Sequence, residues 1–216
     1  MLKTYSLYGL NVVSDLQFPF LSPIKSCGNP DIIVKRNDEL LLNSNIDPYS
    51  TLNDLNLKTA NIENRYYKCK ISNGSLIEYK LKDNNDNIAL LINFLHMPFA
   101  FTMFQRGYLP LHAMSFLYNN KAIISAGTSG SGKSSLSSIL SDTYQIRSED
   151  VTCILSNDKK ILSSPSFPIT LSESHFSQHL KKFSPIEISR KRFINNLSDK
   201  YDDQKLVEVN KIYILE

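Results

Sequence analysis

The run Gly127-Thr128-Ser129-Gly130-Ser131-Gly132-Lys133-Ser134 has the spacing G-x-x-x-x-G-K-[ST]. Each residue type in it suits the holding of phosphate. Glycines allow successive backbone N–H groups to turn inward and form a concave anion nest. A helix beginning near Lys133 would add the positive end of its dipole. In this arrangement Lys133 reaches the β- and γ-phosphates and the Ser134 hydroxyl ligands Mg²⁺. Ser135 stands one place further on and is counted with the binding residues, without a role of its own. An apolar strand ("AIISA") precedes the loop and a helical pattern ("KSSLSSILSD") follows it, as the mechanism requires. The chemistry expected is the binding of a nucleoside triphosphate with Mg²⁺.

The fate of the γ-phosphate depends on carboxylates. Glu149-Asp150 closes a short strand that follows a single helix after the loop. In a β-loop-α-β unit the carboxyl end of that next strand lies beside the phosphate loop. Two carboxylates there can divide the labour: one can hold Mg²⁺ while the other takes a proton from an attacking hydroxyl. A motor or switch ATPase would instead carry a metal-water carboxylate at the end of a second apolar strand. The run of that shape is Ile212-Tyr213-Ile214-Leu215-Glu216, read here as a plain terminal strand.

These residues need elements to hold them. The first part of the chain reads as strands and turns. "KTYSLYGLNVVSD" alternates, "PDIIVKR" is a short apolar run after proline, and two alternating runs flank Asn73-Gly74, a strong hairpin signal, over Ile62 to Leu81. Residues 37 to 60, rich in Asn, Asp and Ser, read as loops. This gives a small β-rich domain over residues 1–85, which packs on or presents a partner to a core over 86–216. The core opens with the apolar stretch Ile88 to Phe104. That stretch is shorter than the roughly 20 residues of a bilayer span and contains Asn93, His96 and Pro98. It reads as a buried helix, kinked or broken near Pro98, so no membrane span is expected. Strands "LHAMSFLY" and "KAIISA" follow around Asn119-Asn120, then the loop, its helix, the strand pair "YQIRSEDVTCILS", polar loops and the final strand "KIYILE".

A net charge of +3, with 24 basic residues spread along the chain, argues against a nucleic-acid partner. The densest basic cluster, Ser189-Arg190-Lys191-Arg192, reads as a solvated helix face or a docking patch for phosphate or an acidic peptide. Cys27, Cys69 and Cys153 are odd in number and lack C-x-x-C spacing, which speaks against a disulfide framework and a zinc site. No basic segment followed by an apolar run opens the chain. A cytoplasmic location is the expectation.

The stretch "LPLHAMSFLYNNKAIISAGTSGSGKSSLSSILSDTYQIRSEDVTCI" resembles the kinase core of the HPr serine kinase/phosphorylase family. The resemblance is closest to the short relatives found beside ribosomally made, modified peptides, including the lasso-peptide kinases. Those relatives open with Y-x-L-x-G-L-x-V-x-S-D, matched by Tyr5 to Asp15, and carry Q-R-G-x-L-P-L-H-A, matched by Gln105 to Ala113. Phe167 to Leu171 matches a following F-P-I-x-L. The resemblance implies an α/β P-loop kinase core, of the type shared with phosphoenolpyruvate carboxykinase-like proteins, and ATP-dependent phosphorylation of a hydroxyl. It puts Glu149 where the general base usually sits, Asp150 where a metal-binding or phosphate-orienting carboxylate sits, and His112 on the strand edging the phosphate site. By residue type alone, His112 is as consistent with a hydrogen-bonded core histidine as with a catalytic one. Two departures stand out. The family pair is Asp-Asp, whereas Glu149 is one methylene longer, and the glycine-rich signature of the bifunctional enzymes is missing. The transition-state cation is open between Arg190 and Arg192, and Arg106 reads as structural. The larger relatives form hexamers, which leaves a homo-oligomer open.

The leading expectation is a kinase acting on a serine or threonine hydroxyl of a peptide or small protein, a ribosomally made precursor peptide foremost. An HPr-type protein serine kinase, a non-catalytic nucleotide-binding regulatory module, and a plain ATPase that depends on Glu216 are the alternatives.

Overall fold

The computed structural model describes residues 1–25, 28–42, 51–53, 58–82, 88–141, 143–166, 170–172, 186–189, 192–194 and 205–216. They divide into two units, one of Met1–Ser6 with Leu10–Gly107 and one of Leu7–Gly9 with Tyr108–Glu216. The boundary thus falls after Gly107 and not after residue 85.

In the first unit the alternating runs become β1 (Lys3–Leu7), β2 (Leu10–Ser14), β3 (Ile32–Arg36), β4 (Thr51–Asn53), β5 (Thr59–Glu63), β6 (Tyr67–Ser72) and β7 (Leu76–Leu81). They form one sheet in the order β1-β2-β3-β7-β6-β5-β4. The period of two sends Tyr67, Cys69 and Ile71 inward and leaves Lys68 and Lys70 partly exposed. Strand β4 and the first two residues of β5 fall in the stretch expected to be loop, where pairing along the sheet overrides a polar composition.

The apolar stretch forms helix α1 (Ile88–Gln105), which packs on this sheet and so belongs with it. The Phe94 ring meets Tyr67 and Tyr79 edge-on at 5.1 and 5.5 Å, and the Tyr67 hydroxyl donates to Asn93 Oδ1 at 2.7 Å. By length and composition α1 could cross a membrane, but Leu90, Leu91, Phe94, Leu95, Phe99 and Met103 are buried in the fold. The helix runs through Pro98 without the expected break. Proline forfeits one backbone bond there, and the Thr102 hydroxyl donates to the Pro98 carbonyl at 2.8 Å.

Two motifs of the front unit turn out to brace it. Asn73 and Gly74 take φ of 53° and 60° in the expected hairpin turn. Gln105 and Arg106 grip that turn: the Gly74 N–H donates to Gln105 Oε1 at 2.8 Å, and Arg106 Nη1 donates to the Gly74 carbonyl at 3.0 Å. A Cβ at Gly74 would lie 2.6 Å from Arg106 Cγ. Asp15 accepts from the Arg36 N–H and from the Tyr79 hydroxyl, tying β2 to β3 and β7. Both hairpin strands are interior to the sheet, so the hairpin offers no free edge to a peptide.

The second unit contains β8 (Leu109–Tyr118), β9 (Lys121–Gly127), α2 (Lys133–Leu140), β10 (Ile146–Ser148), β11 (Val151–Asn157), β12 (Lys160–Ser163), β13 (Thr170–Ser172), β14 (Ile186–Ser189), β15 (Arg192–Ile194) and β16 (Val207–Leu215). Asn119 and Asn120, at φ of 50° and 60°, make the turn between β8 and β9. Strands β8, β11, β12, β16 and β9 pair in that order, and β8 also pairs with β9, which closes the ring. Strand β10 continues along the edge of β8 ahead of β11. Strands β12 to β15, in a region expected to be polar loop, are three or four residues long, and β13, β15 and β14 make a small antiparallel sheet. Cys27, Phe167 to Ile169, Arg190 and Lys191 lie outside the described residues, as does the side chain of Arg192.

Candidate nucleotide site

Strand β9 delivers Gly127 to the loop, and α2 leaves it at Lys133, so the phosphate motif sits between a strand and a helix start. Gly130 and Gly132 adopt φ of 86° and 92°, which favours glycine over any residue with a Cβ. Gly127 is needed for another reason. A Cβ there would lie 2.5 Å from Ser131 Oγ and 2.7 Å from the Leu215 carbonyl oxygen. The buried Ser131 hydroxyl facing it has no hydrogen-bond partner among the described residues. Lys133 is 6% exposed, and its ammonium donates to the carbonyls of Gly127 and Thr128 at 2.9 and 2.8 Å. Ser134 and Ser135 are exposed on the first turn of α2. Met114 and Ile146 form a small core against Phe116, Leu136 and Leu140, which seats α2 on β8 and β10.

The acidic pair is held level with the end of β9. Strands β9 and β10 both run antiparallel to β8, hence parallel to each other, with β8 between them. Ala113 on β8 pairs with Ala126 on one side, and its N–H donates to the Asp150 carbonyl on the other at 3.2 Å. Asp150 and Ala126 therefore lie in one row, about 10 Å apart by two strand spacings. The two carboxylates differ in environment. Glu149 is 3% exposed. The Asp150 side chain is 47% exposed and its Oδ1 stands 3.0 Å from His112 Nε2. That contact is an ion pair when the imidazole is protonated and a hydrogen bond in the Nε2–H tautomer. The structure thus brings His112, Asp150 and the loop strand into adjoining rows.

Three features near the site escape a reading of residue types. Tyr8, in the Tyr8-Gly9 turn, is buried in this unit. Burial pushes its phenol well above the ordinary range, and Cys153 and Asp150 add to that. Arg147, two residues before Glu149, is fully buried and donates to the Lys205 carbonyl. The third is the terminal strand. β16 runs parallel to β9 and directly beside it, pairing Leu215 with Gly127. Glu216 consequently follows a residue level with the start of the phosphate loop. Only the apolar run before it signalled this.

Among the described residues no three or more His, Cys, Asp or Glu side chains gather into a metal-holding group. A Mg²⁺ ion bound chiefly by phosphates needs only one or two protein ligands, and Ser134 and Asp150 are of the right type. No protein-family model matches the chain, and no curated protein matches it.

Proposed function

We propose that the chain is an ATP- and Mg²⁺-dependent kinase of the HPr kinase-like type, with an α/β P-loop core, acting in the cytoplasm on a serine or threonine hydroxyl of a peptide or small protein. A ribosomally made precursor peptide is the foremost acceptor. The observation that carries this reading is the row shared by the end of β9 and the acidic pair, with glycines and Lys133 shaped for phosphate on one side and two carboxylates on the other. Lys133 would exchange the carbonyls of Gly127 and Thr128 for phosphate oxygens and neutralise the charge of the moving phosphoryl group. Mg²⁺, held by Ser134 and Asp150, would supply charge neutralisation across the phosphates. Glu149, sheltered from water, would take the acceptor's proton.

The division between the two carboxylates is tested by Glu149→Gln and Asp150→Asn. The first is expected to abolish transfer while sparing ATP binding. The second is expected to raise the Mg²⁺ concentration needed for binding. If Glu149→Gln transfers phosphate at the wild-type rate, and Asp150→Asn does not, the exposed Asp150 paired with His112 is the base.

A plain ATPase is favoured by one observation, the placement of β16 parallel to and beside β9. In that reading Glu216 orients water at the phosphate, and ADP forms without any acceptor. ADP release that is independent of acceptor and lost in Glu216→Gln would establish it.

A further inference from the structure

The bend that carries Glu149-Asp150 is closed by side chains from both of its ends. Ser148 and Thr152 flank the pair, and their hydroxyls hydrogen-bond to each other across it. Ser148 Oγ also bonds to Ser115 Oγ on β8, and Thr152 Oγ1 donates to the Ala113 carbonyl at 2.8 Å. Ser115, Ser148 and Thr152 are all fully buried. Each hydroxyl has one proton to give, which fixes the direction of the chain. Thr152 gives its proton to Ala113, so it must accept from Ser148. Ser148 must then accept from Ser115. The other edge of the bend is held as well: the Ser166 N–H donates to the Arg147 carbonyl at 2.8 Å and its hydroxyl to the Val151 carbonyl at 2.6 Å. A register shift between Ile146 and Ser148 lets the strand turn into the bend at this point.

We infer that Ser148 and Thr152 are positioning residues, which fix the acidic pair at the row of Ala126 through a directed chain of hydroxyls. This rests on the kinase reading above. A purely apolar pairing would bury the same surface, but it would leave the five-residue bend free to shift its carboxylates relative to the loop. Neither residue touches substrate in this account; both act through the backbone of the acids.

Thr152→Val keeps the shape and removes the last donor of the chain, while Thr152→Ser keeps the donor and removes the methyl. A displacement of about 1 Å near a reacting atom costs roughly 100-fold. The expected result is therefore a kcat for phosphate transfer about 100-fold lower in Thr152→Val, with the Kd for Mg-ATP within about twofold of wild type. Thr152→Ser is expected to restore most of the rate. Hydrogen exchange of the peptide spanning residues 147–153, measured without nucleotide, should quicken in Thr152→Val and not in Thr152→Ser. Ser148→Ala interrupts the chain at its middle and is expected to act in the same direction, which keeps the test open if the valine variant does not fold. Wild-type transfer by Thr152→Val, equal losses in the valine and serine variants, or a fall in ATP affinity in step with kcat would each overturn the positioning role. Absence of transfer by the wild-type chain, with Lys133→Ala as control, would instead bring down the kinase reading and this inference with it.

Discussion

Replacing Gly127 by alanine tests whether the loop is gripped from two sides. The new Cβ would stand 2.5 Å from Ser131 Oγ, 2.7 Å from the Leu215 carbonyl oxygen and 3.2 Å from Leu215 Cβ. The serine hydroxyl can swing aside at little cost. The carbonyl cannot, because β16 pairs with β9 from Val209 with Ala122 to Leu215 with Gly127. Forcing a methyl against backbone costs about 1–3 kcal/mol. Taking about 2 kcal/mol, the loss of Tm is about 4–8 °C for a chain of this size. Thermal unfolding followed by circular dichroism reads the loss, and an ATP titration reads the loop. Gly130→Ala is the control: no atom lies within 4 Å of its Cβ, so its cost, roughly 1 kcal/mol, comes from φ of 86° alone. Adding Ser131→Ala to Gly127→Ala removes only the softer clash and should recover less than half of the lost stability. A Gly127→Ala protein that melts with wild type would refute this account. So would full recovery on adding Ser131→Ala, since β16 would then not be the obstacle.

Other expectations follow from single groups. Lys133→Ala removes an ammonium aimed at two loop carbonyls, and ATP affinity measured by calorimetry should fall about 10- to 100-fold, as for the loss of a charge-assisted bond. Arg147→Ala empties a fully buried site and breaks the bond to the Lys205 carbonyl, so urea unfolding should show a loss of about 2–4 kcal/mol. Burial holds the Cys153 thiol protonated, its pKa pushed up to about 12 from an ordinary 9.0, and it raises the Cys69 thiol and the Tyr8 and Tyr67 phenols in the same direction. Because the folded value is raised, the Cys153 contribution is complete below pH 9 and is lost as the pH rises toward 12. Unfolding free energy should fall there by about 1.4 kcal/mol per pH unit for that thiol. Urea midpoints of Cys153→Ala should show a shallower alkaline slope, and an unchanged slope would contradict the burial argument.

The parts legible in the sequence are those fixed by local chemistry. Asn73-Gly74 and Asn119-Asn120 announce turns because few residues tolerate positive φ, and Gly130 and Gly132 announce the tight loop before Lys133 for the same reason. The parts that were not legible depend on partners far along the chain. Helix α1 is apolar on nearly every side, so its pattern could not say which sheet it packs on, and the contacts of Phe94 with Tyr67 and Tyr79 decide that. Strand β12 is recognisable only through its pairing with β11 and β16. The acidic pair was visible, but the hydroxyls of Ser148 and Thr152 that close its bend are completed by Ser115 and the Ala113 carbonyl, brought from β8. Glu216 looked like the end of a plain strand until the parallel register of Leu215 with Gly127 placed it at the loop. Arg106 reads as structural from the sequence, and its grip on Gly74, shared with Gln105, makes it a brace of the first unit.

The most direct test of the central claim is intact mass spectrometry of acceptors after incubation with the purified chain and Mg-ATP. The acceptors would be HPr, a peptide ending in a free serine, and a precursor peptide encoded beside the gene. The account predicts one phosphate added to a peptide or small-protein acceptor, absent with Lys133→Ala and with Glu149→Gln. ADP accumulating at the same rate with and without any acceptor, with every acceptor mass unchanged, would contradict it.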